Sequence, residues 1–189
     1  DGSFIQVYFD GEKWCIGTRK MAFAEGETVT GKTYRELFIE ALGVNFNNFS
    51  MFLKNKTFMF ELCTPENRVV KRYEKPKVYL LAVRDKVTGA YTKYDELKDI
   101  VKYKRTIDKA NIHLPKSYLF SNFNEIKEAL DELPQLDEGY VLWDEETGFR
   151  AKCKSPSYVA IHHLRNNGDL SPKNISYLVF ANEYAEYLS

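Results

Sequence analysis

Two stretches of this chain carry the marks of β-hairpins, and they constrain the fold more than any other feature. Residues 4–9 are rich in aromatic and β-branched side chains, Asp10-Gly11 follows, and Trp14-Cys15-Ile16 resumes the pattern. Asp-Gly between two such runs favours a tight turn, because glycine and aspartate tolerate the positive φ angles that hairpin turns require. The second stretch runs through residues 139–144 and 149–154, with Glu146-Thr147-Gly148 at the reversal.

Further strands are expected at residues 57–63 and at 78–84, the latter followed by a Thr88-Gly89 turn. In the first of these, Phe58, Phe60 and Leu62 recur with the two-residue period of a strand and should face a core. Met59 and Glu61 then take the opposite surface. Helices are announced by different chemistry. Thr33-Tyr34-Arg35-Glu36 has the form of a capping box, the apolar set Leu37, Phe38, Ala41, Leu42 follows at helical spacing, and Gly43 stops it. Residues 95–104 read as an exposed helix, and residues 123–133 as another that ends before Pro134. Ser155-Pro156 and Ser171-Pro172 each place a cap residue before a proline suited to the first helical position, which predicts helices over 159–164 and from 172 to the end. Strands in antiparallel pairs with helices inserted between them make the expected class α+β.

Composition narrows the function. A chain of 189 residues with 44% hydrophobic and 29% charged residues can bury one sizeable core, with a small appendage, and has the make-up of a soluble globular protein. It contains no apolar run near the roughly 20 residues that a membrane helix requires. Lys and Arg together number 27 and so do Asp and Glu, so the formal net charge is zero. Nucleic acid could therefore be held only through local segregation of charge, not by a basic surface overall. The three cysteines are far apart, with no Cys-x-x-Cys spacing, which points to a reduced intracellular protein without a zinc site. His162 and His163 are adjacent on an expected helix, so their side chains diverge by about 100° and do not suit one metal. His113 reads as a loop residue, and the basic stretch at residues 71–77 as a solvated loop or edge.

The candidate chemistry lies in the strands. Arg150, Lys152 and Lys154 alternate and so share a face, with Ala151 and Cys153 on the other. Such a row is either a solvated edge protected by lysine or a clamp for phosphate. Glu61 ends an apolar strand and is either simply exposed or an acceptor for ribose hydroxyls, to which a carboxylate can offer two oxygens. Glu138-Gly139 opens another strand. The carboxylate there is a solvated turn residue or a ligand for hydrated Mg²⁺, a hard ion that prefers oxygen.

Taken in order, these pieces resemble a known family. Asp1-Gly2-Ser3 matches the tail of a Lys-x-Asp-Gly-Ser motif. After it come Thr18-Arg19, Phe60-Glu61 with Pro65-x-Asn67-Arg68-Val69-Val70, Leu80-Leu81-Ala82-Val83-Arg84-Asp85, Glu138-Gly139-Tyr140-Val141, and Lys152-x-Lys154-x-x-x-Tyr158-Val159. This is similar to the motif order of covalent nucleotidyltransferases. Arg84, Asp85, Thr88, Gly89, Tyr91 and Tyr94-Asp95 bring it nearest to ATP-dependent RNA ligases of the T-even phage RNA ligase 1 type.

The resemblance implies an adenylyltransferase domain of antiparallel sheets and flanking helices around an ATP cleft, occupying residues 1–165. Residues 166–189 would form a helical tail or the start of a C-terminal domain. It implies ATP and Mg²⁺ as cofactors and RNA ends, one 5′-phosphate and one 3′-hydroxyl, as substrates. A motif lysine attacks the α-phosphate of ATP and releases pyrophosphate, the adenylate passes to the RNA 5′-phosphate, and the 3′-hydroxyl then seals the strand and releases AMP. By resemblance Lys152, Lys154 and Glu138 are the catalytic set, with Glu138 supporting the metal and Glu61 binding the ribose. Arg19, Tyr158, Gly2 and Ser3 join the two lysines in holding the nucleotide. The expected setting is a monomer away from membranes, in a cytoplasm or in host cytoplasm if phage-encoded.

Two points depart from the family pattern. Lys20 stands where a glycine is usual, and the motif lysine would lie two positions before Asp1. A chain starting at Asp1 is expected to bind ATP without becoming adenylylated. Other readings are a DNA ligase, a capping guanylyltransferase, or a non-catalytic nucleotide- or RNA-binding module descended from such an enzyme.

Overall fold

The computed structural model describes residues 2–28, 30–44, 53–67, 70–134, 136–159 and 162. Arg68, Val69, residues 160, 161, 163 and 164 of the helix expected over 159–164, and the helix expected from residue 172 lie outside these. The chain divides into two compact units: the larger holds the described residues up to 67 and those from 72 to 116, the smaller holds residues 70–71 and the described residues from 117 onward.

The larger unit is a five-stranded sheet with two helices. Strands β1 (Ser3–Phe9), β2 (Trp14–Thr18), β3 (Lys56–Cys63), β4 (Lys77–Asp85) and β5 (Ile112–His113) lie in the order β2-β1-β3-β4-β5. The β1–β2 hairpin turns where Asp10-Gly11 predicts it, and the Asp10 carboxylate fixes the reversal by accepting the backbone N–H groups of Glu12 and Lys13, each at 2.8 Å. Those hydrogen bonds, the Lys13 one first, draw its pKa down to about 2.

One face of the sheet is apolar. Ile5 pairs with Phe60 and Val7 with Phe58, and Leu62 and Leu80 continue the layer, all of them buried. Helix α1 (Tyr34–Leu42) covers this face with Leu37, Phe38, Ala41 and Leu42, and the Phe38 ring lies 5.3 Å from that of Phe60. Its capping box forms as expected: Thr33 Oγ1 accepts from the N–H of Glu36 at 3.2 Å, and the Glu36 carboxylate accepts from the N–H of Thr33 at 2.7 Å. Helix α2 (Tyr94–Thr106) is exposed along most of its length and buries Leu97 and Val101. Among the described residues no helix is long and apolar enough to cross a membrane.

Two expectations need correction. The pairing is not wholly antiparallel, because β4 and β5 run parallel, and His113 lies in β5 and not in a loop. A parallel pair needs a crossover of a dozen or more residues, and α2 supplies it. A two-residue strand shows no periodicity, so nothing in Ile112-His113 could have announced it.

A register shift in the β3–β4 ladder places Ala82 opposite Met59 but Leu80 opposite Phe60, leaving Leu81 as the extra residue. The bulge re-phases the strand beyond it. Val83 thereby opposes the core residue Phe58, while Arg84 opposes Thr57 on the face that carries Met59 and Glu61.

The smaller unit contains helix α3 (Phe123–Asp131) and the hairpin of β6 (Gly139–Trp143) and β7 (Arg150–Lys154). Asn122 caps α3 by accepting from the N–H of Glu125 at 3.1 Å. The Tyr140 ring meets those of Tyr118 and Phe120 edge-on, at 5.2 and 5.3 Å. Beyond β7 a helical turn begins at Pro156, as the Ser155-Pro156 pair predicts.

Candidate active site

Residue 139 has to be glycine, and that requirement places the carboxylate before it. Gly139 has φ of +135°, and a Cβ there would lie 2.0 Å from the carbonyl oxygen of Cys153. The close approach lets β6 start directly against the end of β7, with Gly139 opposite Lys154. The Ser155 N–H extends this ladder by donating to the Glu138 carbonyl at 2.9 Å. Glu138 is therefore held by backbone on the strand that faces the two lysines.

Its side chain accepts from both. Lys152 Nζ lies 3.0 Å and Lys154 Nζ 3.1 Å from the same oxygen, Oε1. Burial tends to raise the Glu138 pKa, but hydrogen bonds from Lys152 and Lys154 outweigh it, and the carboxyl is held below its ordinary value. The lysines remain substantially exposed, at 56% and 40% of their side-chain areas. Two accessible ammonium groups thus share one half-buried counter-charge, which leaves net positive charge to meet an anion. Lys154 Nζ also lies 5.5 Å from the centre of the buried Tyr158 ring.

Arg150 takes a different part. Its guanidinium stacks on Trp143, its cross-strand partner, 4.3 Å from the ring centre. The three-cation row of the sequence therefore resolves into a pair at Glu138 and an arginine on an aromatic platform at the other end of the hairpin. Lys71 pairs with Asp137, the neighbour of Glu138, and keeps 43% of its side chain exposed, as expected of a solvated loop. The strand pattern could not reveal that pair, because 66 residues separate its members.

The remaining candidates belong to the larger unit. Glu61 is half-buried on the face of β3 away from the core, opposite Phe4 on β1 and Tyr79 on β4. On the same face an open groove of about 490 Å³ is lined by Gln6, Thr57, Met59, Arg84 and the turn at residues 85–89. The Arg-Asp…Thr-Gly-x-Tyr pattern builds that turn: Arg84 Nε donates to the Gly89 carbonyl at 2.9 Å, and Asp85 Oδ1 accepts from the N–H groups of Val87 and Thr88 at 2.8 and 2.9 Å.

Gly2 and Ser3 open β1, where Ser3 faces Leu62. A Cβ on Gly2 would sit 2.4 Å from the Leu62 carbonyl oxygen, so the glycine permits the strands to meet. Arg19 is exposed just after β2. Lys20, where the family pattern has glycine, does not have a positive φ; among described non-glycine residues that conformation occurs at Lys109. Lysine is therefore tolerated at position 20 without backbone strain.

The sequence profile of the RNA ligase family matches residues 1–158. The chain belongs to the RNA ligase family. This membership agrees with relatives along the whole chain. A protein of Autographa californica nuclear polyhedrosis virus, named for polynucleotide kinase and RNA ligase activities, is 31% identical over 197 aligned positions, which take in 100% of this chain and 26% of that protein. An RNA ligase of Rhodothermus phage RM378 is 26% identical over 220 positions, 100% of this chain and 50% of that one. The chain thus spans half or less of the length of these family relatives.

Solved structures agree on the fold. An RNA ligase of Naegleria gruberi, determined with ATP and Mn, superposes with a TM-score of 0.61 at 22% identity, covering 86% of this chain and 50% of that one. An archaeal ATP-dependent RNA ligase superposes with the same TM-score of 0.61 at 15% identity, over 100% of this chain and 50% of that one. The α+β nucleotidyltransferase fold of this RNA ligase family member is established by both.

Proposed function

We propose that the full protein is an ATP-dependent RNA ligase that joins a 5′-phosphate end to a 3′-hydroxyl end through protein-adenylate and RNA-adenylate intermediates. The observation that carries the reading is the Glu138–Lys152–Lys154 cluster: two accessible ammonium groups on adjacent same-face positions, oriented by one carboxylate, in a member of the RNA ligase family.

In this reading residues 1–165 belong to the nucleotidyltransferase domain. Lys152 and Lys154 stabilise the charge that grows on the α-phosphate oxygens as the motif lysine attacks and pyrophosphate leaves. Glu61 accepts hydrogen bonds from the ribose hydroxyls. Arg19, Tyr158 and Gly2 contribute to nucleotide binding. Magnesium takes one or two carboxylates and otherwise keeps water and phosphate oxygens. Glu138 is the carboxylate that would hold it, and the ion would supply neutralisation of phosphate charge. Because ATP is the cofactor, the enzyme works where ATP is present, inside a cell.

The test is incubation of the full-length protein with Mg²⁺ and either α-labelled ATP or α-labelled GTP, followed by a chase with 5′-phosphorylated RNA. The proposal predicts a covalent label from ATP that moves to RNA and is released as AMP on sealing. A label from GTP would assign a capping guanylyltransferase. Transfer to DNA ends in preference to RNA would assign a DNA ligase. ATP binding with no covalent label would assign a non-catalytic module.

A further inference from the structure

The motif Pro65-x-Asn67-Arg68 lies close after Glu61, and the chemistry of nucleotide transfer gives it no task. Asn67 is 92% buried, with 8% of its surface exposed. A buried amide must satisfy two acceptor lone pairs and two N–H donors. Asn67 satisfies all of them. Its Oδ1 accepts from the N–H and the hydroxyl of Thr64, both at 2.8 Å. Its Nδ2 donates to the Leu62 carbonyl at 2.7 Å and to Ser3 Oγ at 2.9 Å. The Leu62 contact also fixes which way the amide points, because a carbonyl oxygen can only accept.

The two Nδ2 partners are cross-strand neighbours, since Ser3 pairs with Leu62 where β1 meets β3. Leu62 adjoins Glu61, and Ser3 comes directly after the Asp1-Gly2 of the nucleotidyltransferase motif. One side chain therefore ties the start of β1 to the end of β3, across a junction kept tight by Gly2. We infer that Asn67 is a positioning residue for adenylate transfer: through Ser3 Oγ and the Leu62 carbonyl it holds the Gly2-Ser3 start of β1 in register with the strand bearing Glu61. Ser3 then acts as the anchor point of that segment, and its hydroxyl is engaged by the protein and not by the nucleotide. Misplacing a nucleophile by about 1 Å is enough to cost on the order of 100-fold in rate, so a latch on the segment that carries the motif acts on rate and not on affinity.

The inference rests on the ligase reading, and the experiment separates the two. Single-turnover self-adenylylation, ATP half-saturation and thermal unfolding are measured on the full-length protein, on Ser3→Ala, on Asn67→Ala and on the double variant. Ser3→Ala loses one hydrogen bond and keeps the fold. It should adenylylate about tenfold more slowly, with ATP half-saturation changed by less than about twofold. Adding Asn67→Ala to Ser3→Ala should cost less than Asn67→Ala costs alone, by the share that runs through the Ser3 contact, which is already broken. Multiplicative effects, an unchanged rate in Ser3→Ala, or a loss confined to ATP affinity would overturn the inference. Absence of any label in the unmodified protein would sink the ligase reading instead. The latch is then read by amide exchange, where Ser3→Ala should speed exchange at residues 2–5 about tenfold and leave α1 unchanged. Unaltered exchange at residues 2–5 would overturn it.

Discussion

Lys152 and Lys154, two positions apart on β7, donate to a single oxygen, Oε1 of Glu138, at 3.0 and 3.1 Å. Two like charges so close repel each other, and the carboxylate offsets that repulsion while leaving the pair cationic as a whole. The same arrangement that stabilises the hairpin end thereby prepares it for an anion.

Replacing either lysine by alanine is expected to lower the rate of self-adenylylation by two orders of magnitude or more, since each removes transition-state stabilisation of about 3 kcal/mol. Thermal unfolding should change little, because both ion pairs are partly exposed to solvent. Rapid-quench measurement of the labelled protein checks the rate, and near-normal labelling in both variants would count against the assigned roles.

The cluster also makes stability depend on acid. The Glu138 carboxyl is held below its ordinary value of 4.5. Its contribution is therefore complete above that value and is lost as the pH falls through the lowered folded pKa. Denaturant unfolding between about pH 6 and about pH 3 should show a loss of stability that Glu138→Gln reduces. No corresponding change is expected from this group on raising the pH from neutrality. Equal acid sensitivity in the two proteins would remove Glu138 as a contributor.

Gly139→Ala should destabilise the protein by about 1–3 kcal/mol or more, because the new Cβ meets the Cys153 carbonyl and the backbone holds a positive φ. It should also abolish the Glu138 geometry. Thermal unfolding and ATP binding measured together check it; wild-type values in both would show that the β6–β7 junction is not needed.

In the larger unit, Phe60→Ala should cost about 3–5 kcal/mol, since the ring is fully buried against Phe38. Thr33→Ala, which removes only the side-chain cap of α1, should cost about 1 kcal/mol. Equilibrium unfolding would rank them, and a cap variant as damaging as the core variant would contradict the packing described.

Much of this could be read before any coordinates. The hairpins, the capping box of Thr33 and Glu36 and the core face of Phe58, Phe60 and Leu62 all rest on local rules of turn chemistry and periodicity. The alternation of residues 150–154 likewise foretold that Lys152 and Lys154 share a face. What stayed hidden depends on contacts between distant residues. The bulge that moves Arg84 to the Glu61 face exists only relative to the partner strand. β5 is too short to carry a period, and Lys71–Asp137 and Ser3–Asn67 join residues 66 and 64 positions apart. A strand pattern says which way Lys152 points, but not that Glu138 meets it.

The central proposal is that Lys152 and Lys154 receive the α-phosphate of ATP. The most direct measurement is a crystal structure of the protein with ATP and a divalent ion. The account predicts α-phosphate oxygens within reach of the Lys152 and Lys154 ammonium groups. A nucleotide bound with its α-phosphate away from both lysines would contradict it.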